Sequence, residues 1–277
     1  MSLVALWRSV TEEGEPSRMW MAADSRITDA TGTLLNEGCK LFVLPIRCCK
    51  PDAVGWFSDV YYSSSYGMVC VGGSLTYHNV FGTLIPLLDN LIARRADIPC
   101  LAYVGTLAAR VTSAYVESLW EAKGPAAKQV ELAIGGVCGA HRLLEAYHIV
   151  PTGGDDTFER FRSSALDVSG DAVHFFGSHT EDADAALREL RADARLPIGE
   201  TVAPLRVIRG FIADSRYPSI GGDVQIGYTR EARFERVSTV RPVVPGKPEA
   251  MMRFNNLDLK ELGEVGPCGI GIGGYPG

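Results

Sequence analysis

Apolar and polar residues alternate along the chain with periods that change from two to about 3.6 and back, and the changes mark the elements. Residues 2–10, SLVALWRSV, alternate as a strand, TEEGEPSR at 11–18 is a polar Gly/Pro turn, and MWMAADS at 19–25 returns as a second strand. KLFVLPI (40–46) and YGMVCVGG (66–73) are two further buried strands. From Leu75 to Ala96 the apolar residues Phe81, Leu84, Leu88, Leu91 and Ile92 fall at helical spacing, with Arg94 and Arg95 in the last turn opposing the helix dipole. A second helix is predicted over Leu101–Ala122, with Val104, Leu107, Val111, Tyr115 and Leu119 on one stripe.

The second half repeats the scheme. QVELAIGGVCGAHRLLEAYHIVP (129–151) gives two strands around a glycine-bearing turn, and AVHFFGS (172–178) gives a third. TEDADAALRELRADA (180–194) reads as a helix with acidic residues in its first turn, GETVAPLRVIRGFIADS (199–215) as another, and DVQIGYTREARFERV (223–237) as a closing hairpin. Strands, two helices, strands, two helices, strands: this order predicts an α+β fold, a four-layer α-β-β-α sandwich of two stacked, mainly antiparallel sheets with a helix pair outside each. Residues 1–240 form the predicted domain, and 241–277, rich in Pro and Gly, a C-terminal extension read as an arm.

Composition narrows the function. The chain has 277 residues, 46% hydrophobic and 22% charged, with a formal net charge of -6. No basic run offers a field for phosphates, so nucleic acid is not an expected partner. The start lacks the charged opening and continuous apolar stretch of a signal peptide, and no segment reaches the roughly 18 apolar residues of a membrane span, so the expected location is the cytoplasm. Seven cysteines lack the paired short spacings of a zinc site and read as reduced thiols; neither metal nor cofactor is expected. Cys48-Cys49 reads as two loop or strand residues in preference to a redox or metal pair. Gly269, Gly271 and Gly274 match G-x-G-x-x-G, but the phosphate-binding mechanism needs a helix after the glycines and none is predicted.

The stretch MAADSRITDATGTLLNEGCKLFVL (21–44) carries Asp24, Ser25, Arg26 and Thr28, then Lys40 sixteen positions after Asp24. MVCVGGS (68–74), FGS (176–178) and SIGGDV (219–224) follow in order. Together these resemble the proteasome β-subunits and their bacterial relatives among the N-terminal-nucleophile hydrolases, over about residues 2–235. The resemblance implies that Ser2, exposed by removal of Met1, attacks a carbonyl while its own α-amine takes the proton. Lys40 would lower the pKa of that amine, and Asp24 would hold Lys40 charged and oriented. The Gly72 N–H would stabilise the oxyanion, Ser178 would relay protons near the amine, and Asp214 would stand in for the family's second Asp, although a direct count falls on Tyr217. Thr28 would pair its backbone with an extended substrate, while Ile27, Gly38, Cys70 and Ser74 would line the pocket for the residue before the cut.

Serine stands where the proteasome has threonine, and extra residues lie before Asp24 and between Lys40 and Gly72; the second insertion, within 45–66, is aromatic and would cover the cleft or make a subunit contact. The expected function is an amide hydrolase acting on peptides in a homo-oligomer, ring-like or stacked, with any unfoldase partner unknown. The alternatives are a catalytically silent proteasome-like assembly subunit and a small-molecule amidase or acylase.

Overall fold

The computed structural model describes residues 2–9, 17–153, 160–193, 202–241, 251–263, 265, 268 and 270–276. Met1, the turn residues 10–16, the ends of the two later predicted helices (194 and 199–201), the segment 242–250 and Gly269 lie outside them. Leu3–Arg8 (β1) and Met19–Asp24 (β2) pair antiparallel with Val4 opposite Ala23. Ile27–Asp29 (β3) and Gly32–Leu35 (β4) form a small ribbon of their own, and Leu41–Lys50 (β5) returns to pair with Asp59–Gly72 (β6). Helix Ser74–Leu88 (α1) leads through Leu91–Ile92 (β7) to helix Leu101–Lys123 (α2). Val130–Val137 (β8), Leu144–Pro151 (β9) and Phe161–Leu166 (β10) form a meander, and Val173–Gly177 (β11) pairs with β1. Helices Thr180–Ala192 (α3) and Ala203–Ala213 (α4) precede the hairpin of Val224–Arg230 (β12) and Arg233–Arg241 (β13). Met251–Phe254 (β14), Leu257–Asp258 (β15), Leu259–Leu262 (α5) and Gly274–Pro276 (β16) complete the described strands and α-helices.

The expected pair of stacked sheets is not what forms. Fourteen strands join in one mixed sheet, in the order β10-β9-β8-β6-β13-β12-β2-β1-β11, with β5 and β7 branching from β6 and β14, β15 and β16 from β13. The join is the parallel pair of Arg233 with Ser65. Hydroxyl groups reinforce it: Ser65 Oγ donates to the Phe234 carbonyl at 2.9 Å and accepts from its N–H at 3.0 Å, and Ser64 Oγ donates to the Ala232 carbonyl. A strongly twisted sheet of this width curls rather than staying open, so the four-layer sandwich is replaced by a curled half-barrel. The serines that stitch it lie in the stretch between Lys40 and Gly72 that the sequence presents as an insertion.

Period-two alternation explains how one strand serves two sides of the curl. In β1, Leu3, Ala5 and Trp7 pack with Trp20, Leu205, Ile208 and Phe211 against α3 and α4, whereas Val4 and Leu6 face the opposite way with Met19, Met21, Val69, Phe176 and Phe234. A third cluster, including Leu44, Met68, Tyr77, Leu84, Val104, Val116 and Ile134, holds α1 and α2 on the other limb.

Three local departures have clear causes. Helix α1 stops at Leu88, not Ala96: Asn90 Nδ2 bonds back to the Pro86 carbonyl at 2.9 Å, and Leu91 and Ile92 then pair parallel to β5, opposite Cys48 and Cys49. Arg94 and Arg95 therefore lie beyond the helix whose dipole they were expected to oppose. The 45–66 insertion is mostly a longer hairpin, with Cys48 and Cys49 in β5 and a tip closed by Asp52, whose carboxylate accepts from Val54 N, Trp56 N and Ser58 Oγ. The described part of the C-terminal extension is no free arm: β14 and β16 pair with β13, and the Tyr275 ring stands edge-on to Trp20 at 5.6 Å. Gly274 begins a strand there, not a phosphate-binding helix.

His148 on β9 supplies a stability test. Its ring lies 4.7 Å from that of Phe176, with Nε2 4.0 Å from a Glu131 carboxylate oxygen, and burial, aided by His174, pushes its pKa down to about 4. A depressed folded pKa means stability present above the ordinary histidine value and lost as pH falls from 6.5 towards 4, roughly 2–3 kcal/mol for this group. Glu131, raised by its own burial, acts in the opposite direction. Urea denaturation at pH 7 and pH 4.5 should therefore show a shallower acid loss for His148→Asn than for the wild type; equal losses would remove His148 as the cause.

Candidate functional site

Asp24 ends β2 opposite Val224 of β12 and beside the start of β1, which puts one carboxylate where three chain segments meet. Asp24 Oδ1 accepts the Leu3 N–H at 3.0 Å, and Oδ2 accepts those of Arg26 and Gly221, each at 3.2 Å. The Lys40 ammonium closes on both oxygens at 2.8 Å. Asp24 is 0% exposed and Lys40 1%, so this is a fully buried ion pair. Burial pulls the Lys40 pKa below its ordinary value, while the Asp24 charge and hydrogen bonds pull it back up. Lys40 Nζ and the amide next to Ser2 thus share one carboxylate oxygen.

Ser2 is itself buried and pinned from the other side, its carbonyl accepting the Ser178 N–H at 2.8 Å. Gly177 makes that approach possible. It pairs with Leu3 at a φ of 96°, and a Cβ there would collide with the Ser2 carbonyl. Ser178 Oγ is buried without a hydrogen-bond partner among the described residues. It does not cap α3, whose N-cap is His179 in the left-handed region. An unsatisfied hydroxyl beside Ser2 is costly unless another donor or acceptor comes to it, and an α-amine on Ser2 would be such a group.

Gly72 closes β6 just before α1, exposed and at a φ of 88°, and a side chain there would collide with the Gln129 carbonyl. The same strand is tied to the buried pair through Cys70, whose N–H donates to the Lys40 carbonyl at 2.9 Å. Ile27 covers Gly38 so closely that a Cβ on the glycine would strike it. Thr28 lies in β3 opposite Thr33, and Ser74 opens α1. The Cys70 side chain is fully buried among Phe42, Tyr77 and their neighbours, and its thiol pKa is raised well above the ordinary value, so it lies beneath any pocket wall.

Asp214 is placed elsewhere. Its carboxylate is gripped by Arg216 through Nε and Nη2, at 2.9 and 2.7 Å to Oδ2, beside a cleft lined by Asp182, Glu189, Arg206 and Phe211 on the outer helix pair. The resemblance supplied this assignment only through a local gap, and the Arg216 fork explains why the carboxylate turns outward.

Gln225 is the residue sequence reasoning missed. Buried at 2% exposure, its Oε1 accepts the N–H groups of Lys40 and Leu41, both at 3.0 Å, and its Nε2 donates to the Gly38 carbonyl at 2.5 Å. One amide side chain thereby fixes the loop that delivers Lys40. Its signal was a polar residue between the apolar Val224 and Ile226 near the start of β12. Gln225→Ala strands three buried backbone groups, and a loss of about 2–4 kcal/mol in chemical denaturation is expected; a loss below 1 kcal/mol would mean that the loop is held by other contacts.

No protein-family model and no curated protein matches the sequence. Solved structures do match. Anbu, an ancestral β-subunit from Yersinia bercovieri, is 14% identical over 90% of this chain and 89% of its own, with a TM-score of 0.53. A structure described as the helical assembly of the Anbu complex from Pseudomonas aeruginosa is 16% identical over 85% of each chain, with a TM-score of 0.52. At such identities the likeness is one of fold, and it corrects the family suggested by the motifs: in place of the stacked sheets of a proteasome β-subunit-like N-terminal-nucleophile hydrolase, the chain has one curled mixed sheet and is similar to the Anbu structures.

Proposed function

We propose that the chain is a proteasome-like assembly subunit of the Anbu kind, forming homo-oligomers, and that its Ser2 centre hydrolyses amide bonds in peptides once Met1 is removed. Likeness in fold to a protein solved as a helical assembly supports the first part. The second rests on one observation: the buried Lys40–Asp24 pair is tied through a single carboxylate oxygen to the amide following Ser2.

The chemistry follows from those positions. Ser2 Oγ attacks the substrate carbonyl and its proton passes to the α-amine, which carries a free lone pair because the Lys40 ammonium disfavours a second positive charge beside it. The Gly72 N–H meets the developing oxyanion. As the intermediate collapses, the α-amine hands the proton to the departing amine, leaving an ester on Ser2. Water then attacks that ester with the same amine as base. Ser178 Oγ bridges proton movement at the amine, and an extended substrate adds its backbone to β3 at Thr28.

A silent assembly subunit is the second reading. The Anbu likeness supports assembly without supporting turnover, and Ser2 is only 5% exposed, with Asp214 held on the outer helices. Sedimentation analysis combined with turnover of extended fluorogenic peptides and simple acyl amides separates the cases. Large species that cleave peptides support the proposal. Large species that cleave neither substrate, with Met1 removed, leave the silent subunit. A monomer overturns the assembly.

A further inference from the structure

We propose that the β8–β9 turn is a zinc-class metal site built from Cys138, His141 and Glu145. Their ligand atoms, one sulfur, one imidazole nitrogen and one carboxylate oxygen, all lie within 4.8 Å of one another. A tetrahedral zinc ion with bonds of about 2.0–2.3 Å needs only small side-chain movements to collect them. The spacing C-x2-H-x3-E contains no cysteine pair, because only one ligand is a thiol.

The turn is held in shape by the chain itself. Cys138 N donates to the Leu143 carbonyl and Arg142 N to the Cys138 carbonyl, both at 2.8 Å, while Arg142 takes a φ of 60°. Gly139 N donates to the Tyr66 hydroxyl at 3.3 Å. His141 Nδ1 and Glu145 Oε1 already meet at 2.5 Å, and the Tyr147 hydroxyl lies 3.5 Å from the other Glu145 oxygen, where it can orient that ligand.

A second feature fixes the sulfur in place: Cys138 Sγ is buried and accepts the Leu101 N–H, at 3.4 Å, from the first turn of the 23-residue helix α2. Metal binding breaks the S–H bond, releases that proton to solvent and forms a sulfur–metal bond, so affinity should rise with pH. Thiolate with imidazole selects zinc, or cobalt as its spectroscopic substitute, over magnesium and calcium. About half of the His141 side chain is open to solvent, at 54% exposed with Glu145 at 18%, so water or another donor can complete the shell. The turn stands about 26 Å along β8 from Val130, the partner of Gly72, so the site is separate from the Ser2 centre.

The test uses the full chain stripped of metal and titrated with Zn2+ alone and with Co2+ alone. One equivalent of Co2+ should bind with a thiolate-to-cobalt charge-transfer band, and Zn2+ should displace it. Cys138→Ser should lose the band, and Glu145→Gln and His141→Ala should each weaken Zn2+ binding at least tenfold. His141 is exposed, so its variant should retain the wild-type circular dichroism and guards against a folding artefact at Cys138. No band in the wild type, a band persisting in Cys138→Ser, or unchanged Zn2+ affinity in His141→Ala overturns the proposal.

Discussion

Asp24→Ala is expected to destabilise the protein by about 3–5 kcal/mol, because it leaves the Lys40 ammonium buried without its counter-charge. It also deprives the N–H groups of Leu3, Arg26 and Gly221 of their shared acceptor. Much of the damage should appear as proton loss from Lys40, whose pKa burial already lowers. The sign follows from that direction. A lysine depressed in the folded state costs stability while it is charged, so the Asp24→Ala penalty should shrink as pH rises towards the unfolded lysine value of about 10.4. Removing both partners, as Asp24→Asn with Lys40→Met, should be milder than Asp24→Ala alone, since no unpaired charge then remains. Guanidinium denaturation of the three proteins measures this. A loss below 1 kcal/mol for Asp24→Ala would show that water or another group already compensates Lys40.

The second large effect is on turnover. Ser2→Ala should change the unfolding free energy by no more than about 1 kcal/mol, since Ser2 and Leu3 are held by backbone groups that alanine keeps: the Ser2 carbonyl on Ser178 and the Leu3 N–H on Asp24. Peptide turnover should fall on the order of 10⁴–10⁶-fold, as when a nucleophile is removed from a site with an intact oxyanion hole. Lys40→Met should lose turnover as well; it leaves the buried Asp24 carboxylate with only its three N–H donors, so its circular dichroism is compared with the wild type before turnover is read. Its residual activity should have the acid limb of its pH–rate profile shifted upward, towards the ordinary α-amine value near 8, because the ammonium that lowered that value is gone. An unchanged rate in Lys40→Met would remove Lys40 from the mechanism; an unshifted acid limb would leave it a purely structural role.

The elements legible in the sequence were those whose signal is local. β1 and β2 announced themselves by apolar alternation, and α2 by its stripe, because both periods are fixed by backbone geometry. The single sheet was not legible. Whether two limbs join depends on one contact between Ser65 and Arg233, far apart in the chain, and on serine hydroxyls that look like ordinary polar insertion. The end of α1 was hidden for a related reason: Leu91 and Ile92 continue the helical pattern, yet they pair with Cys48 and Cys49 of β5, residues more than 40 positions away. At the site, the Asp24–Lys40 spacing carried the ion pair correctly because a short strand, ribbon and return strand leave few geometries. Asp214 went astray where counting along the chain met a loop whose Arg216 competes for the carboxylate. Gln225 needed the fold to be seen, since its value lies in bonds to residues more than 180 positions away.

The central claim is a free amine and hydroxyl on Ser2 beside the Lys40–Asp24 pair, and intact mass after treatment with a peptide epoxyketone, which bonds to both groups of one terminal residue, tests it most directly. The expected result is a chain lacking Met1 that gains one inhibitor mass, with no gain in Ser2→Ala. Retained Met1, or a processed chain that gains nothing and cleaves nothing, would contradict the account.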